Sequence, residues 1–288
     1  KLRMWVGEGQ AGGVALERRS RRLYDPDGIE GYFVSARHLE GEGFIAYHAV
    51  PLVVKGEVKG VIETFHRPPY METGGWQELL ESLALETAIA IDNAELVEKL
   101  QRGNLELQVA YDATIEGWAR ALELRDQETE GHTRRVAFMT VRMSQAMGIL
   151  GNQLMHIRRG ALLHDIGKMG IPDSILLKPA KLDEAEWEIM RQHPRMAHEM
   201  LVVIPFLRPA LDIPLSHHER WDGQGYPQGL SGEQIPLAAR IFTVIDVWDA
   251  LSNPRVYRPY ALPEEEILTY LRENAGTRFD PQVIDTFL

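Results

Sequence analysis

The chain has no cysteine. Disulfides and thiolate-held metals are thereby excluded, and any bound metal must be held by His, Asp or Glu. Nor does it contain an apolar run of about eighteen residues, the length a membrane-spanning helix needs. No secretory leader is visible at its start, and a cytoplasmic protein is expected. Basic residues are in the minority: 31 Lys and Arg stand against 42 Asp and Glu, for a formal net charge of −11. That balance argues against a polyanion-binding surface such as a DNA groove. It leaves room for one small anionic ligand, because a cluster of bound cations reverses the sign locally.

What is present is 288 residues, enough for two compact domains. The chain opens on Lys1 rather than Met, and its first domain is expected to be N-terminally incomplete. That first part reads as α+β. Gly7 to Gly13 and Asp25 to Gly31 are rich in turn formers. Phe44 to Val54 is strand-like, Lys55-Gly56-Glu57 is a turn signal, and Val58 to His66 predicts the returning strand of a hairpin. Proline then disappears from Met71 to Ile171. Apolar residues spaced by three and four predict a helix from Trp76 to about Leu100 and a second from about Leu105 to Leu124, with Gly103-Asn104 as the break. This stretch is the expected connector between two domains, 1–98 and 99–288. From Tyr111 onward helical patterns dominate, and seven of the ten histidines lie there.

Those histidines come with carboxylates. Glu128 and His132 are four apart and share a face if helical; alone, such a pair is equally well a solvated surface. His164-Asp165 follows the apolar run Gly160-Ala161-Leu162-Leu163, where unpaired polar groups would cost several kcal/mol. A metal would satisfy them; so would self-capping at a helix end. Lys168 lies one turn on and can reach a phosphate oxygen as a point charge. His193, the pair His217-His218, and Asp246 in an apolar segment complete the set. Oxygen and imidazole donors without sulfur suit Fe, Mn or similar ions, and there are more donors than one ion needs. Asp249 is a candidate to orient one of them. Trp118, Trp187, Trp221 and Trp248 are expected in the core, and the cluster Arg18, Arg19, Arg21, Arg22 on a solvated face. His156 and His198 fall outside the pattern.

The order His132, His164-Asp165, Asp246 resembles the HD superfamily of metal phosphohydrolases. HDIGKMGIPDSILLKP at 164–179, HHERWDGQGYPQGLSGEQIPLAARI at 217–241, DVWDAL at 246–251 and FDP at 279–281 resemble its HD-GYP subfamily in particular, with Gly225-Tyr226-Pro227 as the GYP. The hairpin followed by AIAIDNA at 88–94 resembles the end of a GAF sensor domain. The resemblance implies an α+β GAF-like domain joined by a long connector helix to an all-α HD-GYP domain. It implies two or three divalent ions, Fe or Mn, held by Glu128, His132, His164, Asp165, His193, His217, His218 and Asp246. It further implies hydrolysis of cyclic di-GMP to pGpG or GMP, with Asp165 and Lys168 in the catalytic set and Lys168, Tyr226, Arg255 and Arg258 on the substrate. Two other readings are an HD phosphohydrolase acting on another nucleotide and a nucleotide-responsive interaction module without turnover. The chain departs from the family pattern after His193, where a glycine is usual near Ala197 and the sequence reads Pro194-Arg195-Met196-Ala197-His198. A homodimer through the connector helix and the GAF-like domain is expected, with no DNA and no membrane span.

Overall fold

The structure is a computed structural model and describes residues 5–33, 39, 41–71, 74–126, 131–254 and 260–288. It divides into two units, one up to Leu107 and one from Gln108.

The first unit is a three-stranded antiparallel sheet in the order β1 (Arg21–Tyr24), β2 (Ala46–Val54), β3 (Glu57–His66). The β2–β3 hairpin forms where its turn residues require it: Lys55 and Gly56 both take positive φ, the geometry of a two-residue hairpin loop. Alternation along β2 sends Tyr47 and Ala49 to one face, where they bury Val14 of α1 (Gly9–Glu17). Val50 and Leu52 point the other way, onto Leu80, Ala84 and Ala88 of the helix α2 (Trp76–Asp126).

Three details differ from the sequence-based expectation. The glycine-rich start is a helix rather than turns. Its Gly12 is there for clearance, since a Cβ would stand 2.5 Å from the Trp5 carbonyl oxygen. The arginine cluster is partly built in, because Arg21 in β1 donates to Gln10 and Glu17. And α2 is one helix of 51 residues, running through Gly103-Asn104. A single glycine costs a helix about 1 kcal/mol against alanine, too little to end one that contains no proline.

The second unit is helical. Its centre is α9 (Leu237–Ser252), apolar nearly all round because α3 (His132–Ala146), α8 (Asp212–Ser216), α10 (Glu264–Glu273) and α11 (Pro281–Phe287) pack about it. Val136, Leu163, Ile213, Phe242, Ile245 and Val283 form its core. Between these lie α4 (Asn152–Leu162), a 3-10 turn (Ile166–Gly170), α5 (Asp173–Leu176), α6 (Glu184–Met190) and α7 (His193–Val202). Of the four tryptophans expected in the core, Trp248 packs half-buried against it, Trp221 is half-buried outside it, and Trp118 and Trp187 are 40% and 41% exposed. Among the described residues no helix is long and apolar enough to cross a membrane.

Candidate metal centre

The fold brings together seven of the eight expected metal-binding side chains. His132 is the first residue of α3, and His164-Asp165 lie between α4 and the 3-10 turn. His193 opens α7, His217-His218 follow α8, and Asp246 sits within α9. Their donor atoms form two groups, each within 4.8 Å: His132, His164 and Asp246 in one, Asp165, His193, His217 and His218 in the other. Glu128, Arg255 and Arg258 lie outside the described residues. His156 and His198 join neither group.

The imidazoles are pre-oriented. His132 Nδ1 is 2.7 Å from Asp249 Oδ2, and His164 Nδ1 is 2.9 Å from the Ala161 carbonyl. His193 Nδ1 is 2.8 Å from the Met190 carbonyl, and His217 Nδ1 is 3.1 Å from that of Ile213. A carbonyl or a carboxylate can only accept, so each Nδ1 carries the proton and each Nε2 presents a lone pair.

Those lone pairs converge on other acceptors. His193 Nε2 and His217 Nε2 stand 3.4 Å apart, with Asp165 Oδ1 at 3.2 and 3.6 Å from them. His132 Nε2 is 3.3 Å from Asp246 Oδ1, and His164 Nε2 is 3.1 Å from Asp165 Oδ2. Buried acceptors facing acceptors are unfavourable unless a cation lies among them. Two nitrogens about 2.1 Å from one ion at a tetrahedral angle would be about 3.4 Å apart. The donor set therefore fits divalent ions.

The electrostatics agree. Burial would raise the Asp165 carboxyl, but positive charge beside it, on His164 whenever that imidazole takes a second proton in place of an ion and on Lys168, holds it well below the usual carboxylate range. Asp246 is lowered too, His132 outweighing the opposing effect of burial. Burial, reinforced by His217 and His193, pushes His218 well below the usual imidazole range and keeps it neutral, as a metal-binding nitrogen must be.

Around this cluster stand residues that hold it. Asp249 accepts from Arg135 at 2.8 Å as well as from His132, so one buried carboxylate fixes the imidazole ring. Replacing it by asparagine removes the charge while keeping the shape. Asp249→Asn is expected to weaken metal binding about 10–100-fold with helix content unchanged. Titration of the apoprotein followed by circular dichroism and calorimetry checks this, and unchanged affinity would remove Asp249 from the role. Lys168 Nζ is 2.6 Å from Asp165 Oδ2 and 3.2 Å from Asp126 Oδ2. Glu219, only 2% exposed, accepts the backbone N–H of Gln228 at 2.7 Å and of Leu230 at 3.0 Å. It thereby ties down the loop that carries Tyr226, whose ring stacks on His218 with centroids 4.7 Å apart. That loop doubles back so tightly that a Cβ on Gly225 would lie 2.4 Å from the Arg220 nitrogen. Sequence reasoning misses Arg135, Asp126 and Glu219. Of the three, only Glu219 carries a local signal, since it adjoins His217-His218.

Residues 118–283, more than half the chain, match the HD domain model. The chain belongs to the HD-domain family. Residues 2–91 match the GAF domain model, so the HD-GYP reading preceded by a GAF-like domain holds. This HD-domain protein is 40% identical over 195 residues to the cyclic di-GMP phosphodiesterase response regulator RpfG of Xanthomonas campestris pv. campestris (strain 8004), covering 67% of this chain and 51% of that one. It is 42% identical over 168 residues to a cyclic di-GMP phosphodiesterase of Thermotoga maritima, covering 58% of this chain and 45% of that one. It is also 35% identical over 215 residues to the 3′3′-cGAMP-specific phosphodiesterase 2 of Vibrio cholerae, covering 74% and 40%. The chain spans about half the length, or less, of these relatives.

Proposed function

We propose that this chain is a metal-dependent phosphodiesterase that opens cyclic di-GMP to pGpG, GMP or both, under the control of its GAF-like unit. The observation that carries the reading is the convergence of imidazole Nε2 atoms and carboxylate oxygens, with the Nδ1 protons of His132, His164, His193 and His217 already committed elsewhere. The choice of nucleotide rests on two of the relatives, named for cyclic di-GMP.

In this reading His132, His164 and Asp246 hold one ion, and Asp165, His193, His217 and His218 a second. Glu128 would serve a third, and Fe or Mn fits the donors. Bound divalent ions supply charge stabilisation at a phosphodiester and lower the pKa of water. The chain's own residues do the rest. Lys168, held by Asp126, presents its ammonium to a non-bridging phosphate oxygen. Tyr226, fixed against His218 by the Glu219-bound loop, packs on the nucleotide. Arg255 and Arg258 pair with its phosphates.

The test is anaerobic purification, metal analysis, and turnover of cyclic di-GMP with Fe(II) or Mn(II), read by chromatography. Two or three ions per chain with pGpG or GMP formed is the expected result. Metal without turnover of cyclic di-GMP, but with turnover of 3′3′-cGAMP, would move the substrate to the class of the third relative. Metal without turnover of either would favour a nucleotide-responsive interaction module.

A further inference from the structure

The 3-10 turn that carries Lys168 does not satisfy its own end. A turn this short leaves its last carbonyls without helical partners. Ile171, the residue after it, is fully buried, so its carbonyl needs a donor. The N–H groups of α5 do not supply one, since those of Ile175 and Leu176 go to the Pro172 carbonyl and that of Leu177 to Asp173. The donor comes from α2. Arg125, in the last turn of that helix, donates from Nη2 to the Ile171 carbonyl at 2.7 Å and from Nη1 to the Lys168 carbonyl at 2.9 Å. Its Nη2 and Nε also donate to Asp173 Oδ1, at 2.7 and 3.2 Å.

Of these contacts the carbonyls matter most. The Asp173 side chain is 69% exposed, and an ion pair to so open a carboxylate contributes little. A charged donor on a carbonyl makes a hydrogen bond about twice as strong as a neutral one. Only a planar guanidinium spans two carbonyls at once; an ammonium is a point. The next side chain, Asp126, accepts from the Lys168 ammonium at 3.2 Å. The last two side chains of α2 therefore hold residue 168 by its backbone and by its ammonium. That ammonium stands 2.6 Å from Asp165 Oδ2, at the metal centre.

We propose that Arg125 is a positioning residue for the reaction: it locks the Lys168 backbone to the end of α2 and so aims the Lys168 ammonium. The inference rests on the reading of Lys168 as the group that meets a phosphate oxygen. It makes the end of α2 a working part of the site rather than a tether. A misplacement of about 1 Å at a group that meets the substrate is enough to cost about 100-fold in rate.

The first measurement needs neither nucleotide nor turnover. The full chain is acetylated with an amine-reactive ester and the rate at each lysine is read by mass spectrometry. Lys178, paired with Glu186 in the same unit, is the internal standard for an intact fold. Arg125→Ala is expected to speed labelling of Lys168 relative to Lys178 at least about threefold. Arg125→Lys should behave like Arg125→Ala, because its ammonium cannot bridge the two carbonyls. Unchanged labelling of Lys168, or protection restored by the lysine, would overturn the proposal. Turnover of cyclic di-GMP with Mn(II) gives the second measurement. Arg125→Ala should lower kcat about 10–100-fold with metal content kept, yet change it less than about threefold in a Lys168→Met background. The same fold loss in both backgrounds would mean that Arg125 does not act through Lys168. Arg158→Ala, which breaks a different ion pair to α2, at Glu116, should leave both readouts in place. Equal losses there would reduce Arg125 to one docking contact among several. A parent chain without turnover would count against the cyclic di-GMP reading, and the labelling result would still decide the role of Arg125.

Discussion

Asp165→Asn is expected to abolish turnover by at least about three orders of magnitude and to leave the chain with at most one bound ion. The reason is position. Asp165 Oδ1 faces His193 and His217, while Oδ2 faces His164 and Lys168. Among the described residues it is the one carboxylate that touches imidazoles of both groups. An amide in its place keeps the volume but supplies one weak acceptor and a donor. The donor can satisfy one imidazole lone pair, which is the opposite of what an ion requires. The substitution also takes away the nearer of the two described carboxylates beside Lys168, Asp126 being the other. The variant should therefore be assayed for metal and for melting temperature together. A metal-depleted, folded, inactive protein supports the assignment. A protein that keeps its full metal content and more than a tenth of its activity would show that Asp165 is not where the two groups join.

Much of this arrangement is legible in the amino-acid sequence. The β2–β3 hairpin is legible because two β-branched runs flank Lys55-Gly56, and a positive-φ pair admits few other residues. The metal-binding set is legible because buried polar residues need partners, and His164-Asp165 directly follow an apolar run. What stays hidden depends on contacts between residues far apart in the chain. Asp249 reaches His132 across 117 positions and Lys168 reaches Asp126 across 42, and no local pattern announces either pairing. The glycines mislead in both directions. Gly12 looks like a turn and is a clearance inside a helix, and Gly103 looks like a helix break and is not one. Which nitrogen of each imidazole is free is likewise invisible, because it is set by backbone carbonyls three or four residues upstream for His164, His193 and His217. Ala197 is fully buried, and its backbone nitrogen lies so close to the Gly167 turn that a Cβ at position 167 would stand 2.6 Å from it.

Gly167→Ala is expected to cost the fold about 3 kcal/mol or more and to weaken the metal centre with it. A Cβ at this position would lie 1.9 Å from the His193 carbonyl oxygen and 2.6 Å from the Ala197 nitrogen. Both are backbone atoms at the start of α7, so no rotamer change can relieve the clash. The 3-10 turn must move away from α7, and with it Asp165 from His193, which it now approaches to 3.2 Å. For a chain of this size about 3 kcal/mol corresponds to about 6–12 °C in melting temperature. The measurement belongs on the apoprotein, so that lost metal is not mistaken for lost packing, and should be followed by metal titration of what remains folded. Gly170→Ala is the control within the same turn. Its Cβ would meet the Met196 sulfur at 2.7 Å, the far end of a flexible side chain that can swing aside. That substitution should cost below about 1 kcal/mol and leave metal affinity in place. Equal effects from the two would mean that the turn is merely intolerant of side chains. A large loss at Gly167 alone would tie the close approach of two backbones to the assembly of the metal centre.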